Sequence, residues 1–517
     1  MAPPLTGETV PSPEEIHRAK LAWMRTTDPS GPLPSNVDWL RELAPEERAR
    51  FGAGVRRKPS RTLSGVAIVA VMTAPARCPH GRCTYCPGGI ENASPQSYTG
   101  EEPSALRGAQ FHWDSAAITR HRLDTLEAIG HPTGKVEVIV MGGTFPARPR
   151  RVQEEVFRGI YDGLNGQPSP TLAAAQAANE VAEHRMVGLT VETRPDWCDE
   201  RVLPFLLDAG VTRVEIGVEC LHDDVLAAVG RAHSAGDVER ATREARDRGL
   251  KVGYHLMVGL PGMDPAKDLA DFRRLFDAEA FRPDFLKIYP TLVLPGTPLY
   301  DDWAAGRYAP YDAETAATLL AEMKRHLPPW VRIQRIQRDI PARLIAAGVR
   351  MSNLREEALR RLAATGAHCR CLRCREAGRR ATPAPEEFSL TRTEYAAGGG
   401  RELFWAWEEP TTDTIAGFLR LRVPSRADSE SLSSPVIREL KVVGRAVPVG
   451  KAVGPGAEYQ HRGFGRALLA AAEAYVANAG YDRVFVTSAV GTREYYRALG
   501  YERAGPHLAK RVFAGHN

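Results

Sequence analysis

Apolar and polar positions follow two rhythms along this chain, and the change falls near residue 385. Before it, short runs that are apolar on both faces recur at long spacing: 65–72, 136–141, 186–192, 213–218, 252–258 and 285–289. Stretches with apolar positions three and four apart separate them, at 116–129, 151–164, 201–209, 238–248 and 266–278. Strands buried on both faces and alternating with helices predict a parallel sheet, here a partial (β/α)6 barrel. Residues 293–345 read as a crossing segment, and 381–385 as a linker. Beyond the linker the pattern becomes antiparallel, with strands at 403–407, 415–423, 436–443 and 483–487 and helices at 465–477 and 492–499, an α+β unit. Ahead of the barrel lie an amphipathic helix at 13–25, carrying Ile16, Ala19, Ala22 and Trp23, and a second short helix at 37–49.

Composition narrows the class. A chain of 517 residues with 43% hydrophobic content can build two or three full cores. No apolar run approaches the ~20 residues of a membrane span, and the first residues lack the regions of a signal peptide, so a cytoplasmic protein is expected. Six of the eight cysteines fall in two tight groups, the pattern of metal sites in a reducing compartment. Cys198 and Cys220 remain as small buried residues. The net charge of +5 conceals a local excess, because residues 321–380 hold fifteen Lys or Arg against five Asp or Glu. With a second basic run at Arg48, Arg50, Arg56, Arg57, Lys58 and Arg61, this predicts a nucleic-acid partner.

Cys78, Cys83 and Cys86 follow the first strand within nine residues. Zinc closes its shell with four protein ligands, and so does a ferredoxin-type cluster. A [4Fe-4S] cluster held by three would leave one iron open, which is what binding and reductive cleavage of S-adenosylmethionine require. The alternative is a zinc knuckle with a distant fourth ligand. Tyr85 before the last cysteine fits the radical-SAM signature, although the first gap here is four residues instead of three. At the carboxyl ends of the other strands stand Gly142, Gly143 and Thr144, then Glu192, Glu219, His255, Lys287 and Tyr289, all at what would be the catalytic mouth of a barrel. Cys369, Cys371 and Cys374 form the second group and favour a structural zinc at the junction over a second iron-sulfur centre. His368 is an awkward fourth ligand, and none is evident. Gln460, Gly463 and Gly465 open a helix, where glycines let backbone amides surround a pyrophosphate. The preceding strand at 438–442 can offer backbone to a pantetheine arm, and Tyr495 or Tyr496 would then lie near the thioester.

The cysteine motif at 77–89, Gln-Ser-Tyr-Thr-Gly at 96–100, Val-Met-Gly-Gly-Thr-Phe at 140–145, Val-Glu-Thr-Arg-Pro-Asp at 191–196 and Lys-Ile-Tyr-Pro-Thr-Leu at 287–292 together resemble the Elongator catalytic subunit family, in its prokaryotic form. The resemblance runs from about residue 14 to about residue 510. It implies a radical-SAM domain at 63–345 after a basic tRNA-binding extension at 1–62, a cysteine-containing junction at 346–385, and a Gcn5-related acetyltransferase domain at 386–517. It implies that Cys78, Cys83 and Cys86 hold the cluster, and that Gly142, Gly143, Thr144 and Glu192 bind S-adenosylmethionine. It further implies that Glu439, Leu440, Lys441, Val442, Gln460, Gly463, Phe464, Gly465 and Arg466 bind acetyl-CoA, with Lys135, Tyr495 and Tyr496 at the reacting end. The activity implied is radical transfer of the acetyl group to uridine 34 of tRNA, leaving 5-carboxymethyluridine, with an electron donor and without the larger Elongator-type complex. The competing expectation is a protein lysine acetyltransferase with a purely structural cluster.

Overall fold

The computed structural model describes residues 12–27, 29, 33, 39, 40, 42–44, 46, 47, 51, 62–424, 434–444, 459, 460 and 462–513. Its first sheet is a curled half-barrel of seven parallel strands in sequence order: β1 (Ala67–Met72), β2 (Lys135–Met141), β3 (Arg185–Thr193), β4 (Arg213–Glu219), β5 (Lys251–Val258), β6 (Phe285–Pro290) and β7 (Arg332–Ile336). Val69, Val138, Val140, Val191 and Ile216 are fully buried under helices such as Ser115–Ala128 and Arg150–Asn165. That burial is why these strands read as continuous apolar runs. The seventh strand adds to the six expected and lies in the crossing segment at 293–345. Only Ile333 and Ile336 of β7 are buried apolar residues, so the pattern there is too sparse to announce a strand.

The second sheet has the order β13-β14-β12-β11-β10-β9-β8, built from β8 (Ser389–Ala397), β9 (Gly400–Glu409), β10 (Thr414–Val423), β11 (Val436–Val442), β12 (Arg483–Val486), β13 (Glu502–Ala504) and β14 (His507–Arg511). Helix Phe464–Asn478 buries Leu468, Leu469, Ala472 and Val476 against it. β11 and β12 run parallel and pair only at Val436 with Phe485 and Ile437 with Val486. Among the described residues, no strand pairs with the β12 side of β11 beyond Ile437.

The second sheet docks on the amino-terminal ends of the barrel strands through buried charge. Asp284, just ahead of β6, accepts from Arg438 at 2.6 and 2.8 Å, with Arg420 at 3.4 Å and Arg246 at 3.7 Å. Arg422 donates to Asp247 at 2.6 Å, and Arg438 also donates to Glu402 at 2.6 Å. Trp330 stacks on Tyr395 with ring centroids 4.1 Å apart. Part of the arginine excess at 321–380 turns inward as well: Arg332 pairs with Glu376 at 3.0 Å, and Arg375 with Glu408 at 2.6 Å and Asp413 at 2.8 Å.

Near the amino terminus, helix Pro13–Thr27 packs Ile16 with Trp39, Leu40, Leu43 and Phe51. The basic run from Arg48 to Arg61 lies outside the described residues, as does much of the helix expected at 37–49. Among the described residues, no helix is long and apolar enough to cross a membrane.

Candidate active sites at the two ends of the barrel

β1 delivers the cysteine loop to the carboxyl ends of the strands. There Cys78, Cys83 and Cys86 line a cavity of about 1070 Å³, its open mouth included, together with Thr144, Glu192, His255, Lys287 and Tyr289. Cys83 and Cys86 are buried and Cys78 is half-buried. Donors converge on the sulfurs. Gln96 Nε2 and Ser97 N donate to Cys86 Sγ at 3.2 and 3.3 Å, His80 Nε2 lies 3.2 Å from Cys83 Sγ, and Thr144 Oγ1 lies 3.7 Å from Cys78 Sγ. Burial pushes the Cys83 thiol up, so holding it as thiolate calls for a bound cation.

Spacing of the sulfurs separates the two cysteine groups. Among the described residues, Cys369, Cys371 and Cys374 bring their ligand atoms within 4.8 Å of one another, as do Glu192, Glu215 and His255, but the Cys78 loop forms no such compact group. One zinc with Zn–S bonds of ~2.3 Å draws its thiolates to within about 4 Å of each other. A cluster gives each cysteine its own iron and needs them farther apart. The compact group suits a single ion, and the Cys78 loop, whose ligand atoms are not all within 4.8 Å of one another, leaves room for a cluster.

The end of β2 is shaped for close approach. Gly142 and Gly143 have φ of +125° and +91°. A Cβ on Gly142 would stand 2.4 Å from Thr73 Oγ1, and one on Gly143 3.0 Å from Gln96 Cβ and 3.7 Å from Cys78 Sγ. Only glycine lets this turn lie against the cysteine loop. At the end of β4, Glu219 takes φ +64°, a costly conformation for a residue with a side chain, and pairs with Arg231 at 3.3 Å. Arg231 is half-buried and follows helix Asp223–Ala228. No sequence motif marks it, and only its position in the fold brings it to the cavity.

The opposite end of the barrel meets the open stretch of β11. Lys251, first residue of β5, donates to the Arg438 carbonyl at 3.4 Å, and burial lowers its pKa to about 8. Lys135 opens β2 at this end, its pKa also lowered by burial and then by Arg185. Glu439 accepts from Arg420 at 2.8 Å, and Leu440, Lys441 and Val442 are half-buried. Gly463, at φ +86°, caps helix Phe464–Asn478. A Cβ on Gly465 would lie 3.4 Å from Tyr495 Oη and 3.6 Å from Val442, so helix start, strand and tyrosine converge. Tyr496 is buried, with its ring centroid 5.2 Å from that of Tyr495. Phe464 stacks on Trp407 at 4.8 Å. Gln460 points elsewhere, donating to the Ser64 carbonyl at 3.1 Å. The structure thus gathers Glu439 to Val442, Gly463 to Arg466, Tyr495 and Tyr496 at one wedge. It gathers the first three cysteines with Gly142, Gly143, Thr144 and Glu192 at the other mouth. In the second cysteine group, Lys324 Nζ donates to Cys369 Sγ at 3.5 Å, while His368 pairs with Asp413 at 3.2 Å.

The curled parallel sheet with its cysteine loop and the splayed second sheet define a radical-SAM enzyme joined to a Gcn5-type acetyltransferase. Residues 73–275 match the Radical SAM superfamily, 283–363 the Radical_SAM C-terminal domain and 372–501 the Acetyltransferase (GNAT) family. Over 488 residues, 92% of this chain and 90% of the relative, the sequence is 43% identical to the tRNA uridine(34) acetyltransferase of Methanocaldococcus jannaschii. It is 44% identical to that of Dehalococcoides mccartyi over 464 residues, 88% of this chain and 100% of the relative. It is 40% identical to human Elongator complex protein 3 over 495 residues, 92% of this chain and 90% of the relative. The solved structure of Methanocaldococcus infernus Elp3, with an amino-terminal deletion, superposes with a TM-score of 0.77 at 39% identity, over 87% of this chain and 100% of that one. The chain belongs to the family of tRNA uridine(34) acetyltransferases and Elongator complex protein 3.

Proposed function

We infer that this protein is a tRNA uridine(34) acetyltransferase that uses acetyl-CoA and S-adenosylmethionine to carboxymethylate C5 of the uridine. One observation carries the function: a three-thiol loop not gathered for a single ion and an acyl-CoA wedge are fixed to opposite ends of one barrel. Cys78, Cys83 and Cys86 would hold the cluster, which with S-adenosylmethionine supplies one-electron chemistry able to activate a methyl C–H bond. The backbone at Gly142 to Thr144 lies bare beside Cys78 and suits the methionyl end. At the wedge, the amides of Phe464, Gly465 and Arg466 begin a fifteen-residue helix and suit a pyrophosphate. The unpaired side of Glu439 to Val442 can take the pantetheine amides as an added strand would. Tyr495 and Tyr496 would wall the thioester end, and Lys135, at the barrel end of β2, would join them there.

Cys369, Cys371 and Cys374 are assigned to a structural zinc that ties 346–385 to the barrel, with Lys324 offsetting thiolate charge. The enzyme works in the cytosol on tRNA with an external electron donor and without a larger complex. The test is anaerobic: reconstitute the cluster, add dithionite, S-adenosylmethionine, acetyl-CoA and tRNA, and examine digested nucleosides by mass spectrometry. The expected result is 5-carboxymethyluridine with 5'-deoxyadenosine, both lost in Cys83→Ser. Acetylation of a lysine peptide without reductant, and no modified uridine from well-loaded protein, would overturn the function.

A further inference from the structure

The motif at 191–196 carries one residue that the proposed chemistry leaves unused. Arg194 follows β3 directly, lines the cavity that holds the cysteine loop, and is only 3% exposed. Its backbone is extended, as a residue before proline prefers, and Pro195 opens the single turn Pro195–Trp197. That turn brings Asp196 back onto the guanidinium, which donates to it from Nε at 2.9 Å and from Nη2 at 3.1 Å. Thr193 Oγ1 donates to the Trp197 carbonyl at 2.9 Å and pins the turn from the strand side. Arginine, proline and aspartate thus form one preset fork. Two of its three nitrogens are fixed and the third is left over: among the described residues, nothing accepts from the buried Nη1.

A buried donor without an acceptor is costly, and more so on a charged group, so this position calls for an anionic partner. The charge of Arg194 is felt at Cys78 and at His80, which places it on the cysteine-loop side of the cavity. Other cations around the cavity are turned to carboxylates or to a carbonyl: Arg231 to Glu219 at 3.3 Å, Lys287 to Glu192 at 3.0 Å, Arg335 to Asp339, and Arg338 to the Ser97 carbonyl. We propose that Arg194 Nη1 donates to sulfur of the cluster held by Cys78, Cys83 and Cys86 and makes that cluster easier to reduce, which rests on the radical-SAM function proposed above.

An iron-sulfur centre gains a negative charge on reduction, and a guanidinium fixed beside it in a buried site stabilises the reduced form more than the oxidised one. Hydrogen bonds to its sulfurs act in the same direction. Asp196 does not cancel the effect. Its side chain is 28% exposed against 4% for Arg194, so water screens the carboxylate while the guanidinium faces the interior. Asp196 serves to hold the fork still, and the planar, permanently charged guanidinium offers Nη1 in a fixed direction.

The test measures the cluster itself. Full-length parent, Arg194→Gln and Arg194→Lys are reconstituted anaerobically without S-adenosylmethionine, their iron is counted, and reduction is followed by electron paramagnetic resonance at a series of fixed potentials. All three should bind the same iron. In Arg194→Gln, which keeps a donor but no charge, the reduction equilibrium should fall about tenfold, a potential about 59 mV lower for one electron. Arg194→Lys, which keeps the charge, should recover most of that loss. Arg194→Gln within about threefold of the parent, or equal losses in both variants, would overturn the tuning role and leave the function standing. So would an unchanged potential with weakened binding of S-adenosylmethionine, which would make Arg194 a clamp for that molecule. Failure of both variants to hold the iron that the parent holds would make Arg194 structural and overturn the role as well. If the parent itself assembles no reducible [4Fe-4S] cluster, both the role and the function fall.

Discussion

Asp284→Asn tests whether buried charge holds the two sheets together. The carboxylate is fully buried, accepts two hydrogen bonds from Arg438 and one from the Val252 amide at 2.9 Å, and lies within 4 Å of Arg420 and Arg246. An amide of the same shape removes the anion and leaves three guanidinium groups around a neutral group. Removing one partner of a buried ion pair costs about 3–5 kcal/mol, and two charge-assisted hydrogen bonds at about 1.5–3 kcal/mol each give an overlapping range of about 3–6 kcal/mol. The loss should be read from urea denaturation of the full chain, followed by tryptophan fluorescence, since Trp330 stacks against Tyr395 at this interface. pH supplies a second reading. Burial alone would raise the Asp284 pKa, but Arg438, then Arg246 and Arg420, hold it well below the ordinary carboxylate range. A depressed carboxyl pKa gives stability that is complete above the unfolded value of about 3.9 and lost as pH falls below it toward the folded one. Parent protein should therefore lose interface stability below about pH 4, and Asp284→Asn should show a flatter acid limb. A variant within about 1 kcal/mol of the parent at neutral pH would refute the buried-charge account.

Cys374→Ser should retain iron and lose one equivalent of zinc by metal analysis, because Cys374 belongs to the compact thiol group and not to the wide one; unchanged zinc would remove that assignment. Gly491→Val should destabilise by roughly 1–3 kcal/mol in thermal melts and weaken acetyl-CoA binding, since a Cβ there meets Arg185 Cβ at 2.6 Å and the Met186 backbone at 2.8 Å, just ahead of the helix that carries the tyrosine pair. Burial, then Arg503, lowers the pKa of His507 to about 4. The unfolded chain binds that proton first, so stability should fall as pH drops from about 6.5 to about 4, by up to about 3 kcal/mol, and His507→Gln should remove that slope in calorimetric melts between those values.

The barrel was legible where burial is two-sided and apolar. β1 to β6 stand where runs such as Val69 to Met72 and Val136 to Met141 announce them. β7 was not, because Arg332, Gln334 and Arg335 dominate it and its Arg332 is matched by Glu376, a partner far along the chain. β8 escaped for a related reason: only Tyr395 and Ala397 along it are buried, so its period is faint. The cysteine groups were visible as spacing, but only the structure shows that Cys369, Cys371 and Cys374 gather more tightly than the loop at Cys78. Glu192 and Lys287 were placed at one mouth by their strand ends, but their contact, and the approach of Arg231, depend on how the strands are ordered.

The charged seam under the barrel has a consequence for how such a protein can be inherited or engineered. Arg420, Arg422 and Arg438 belong to one sheet, while Asp284 and Asp247 belong to the other half, and each set is buried against its counterpart. Cut at the linker, either half would expose or strand charges that only the other half neutralises. Neither half is then a portable module: a swap between distant relatives succeeds only if both faces of the seam travel together, and the natural unit of exchange is the whole fused chain.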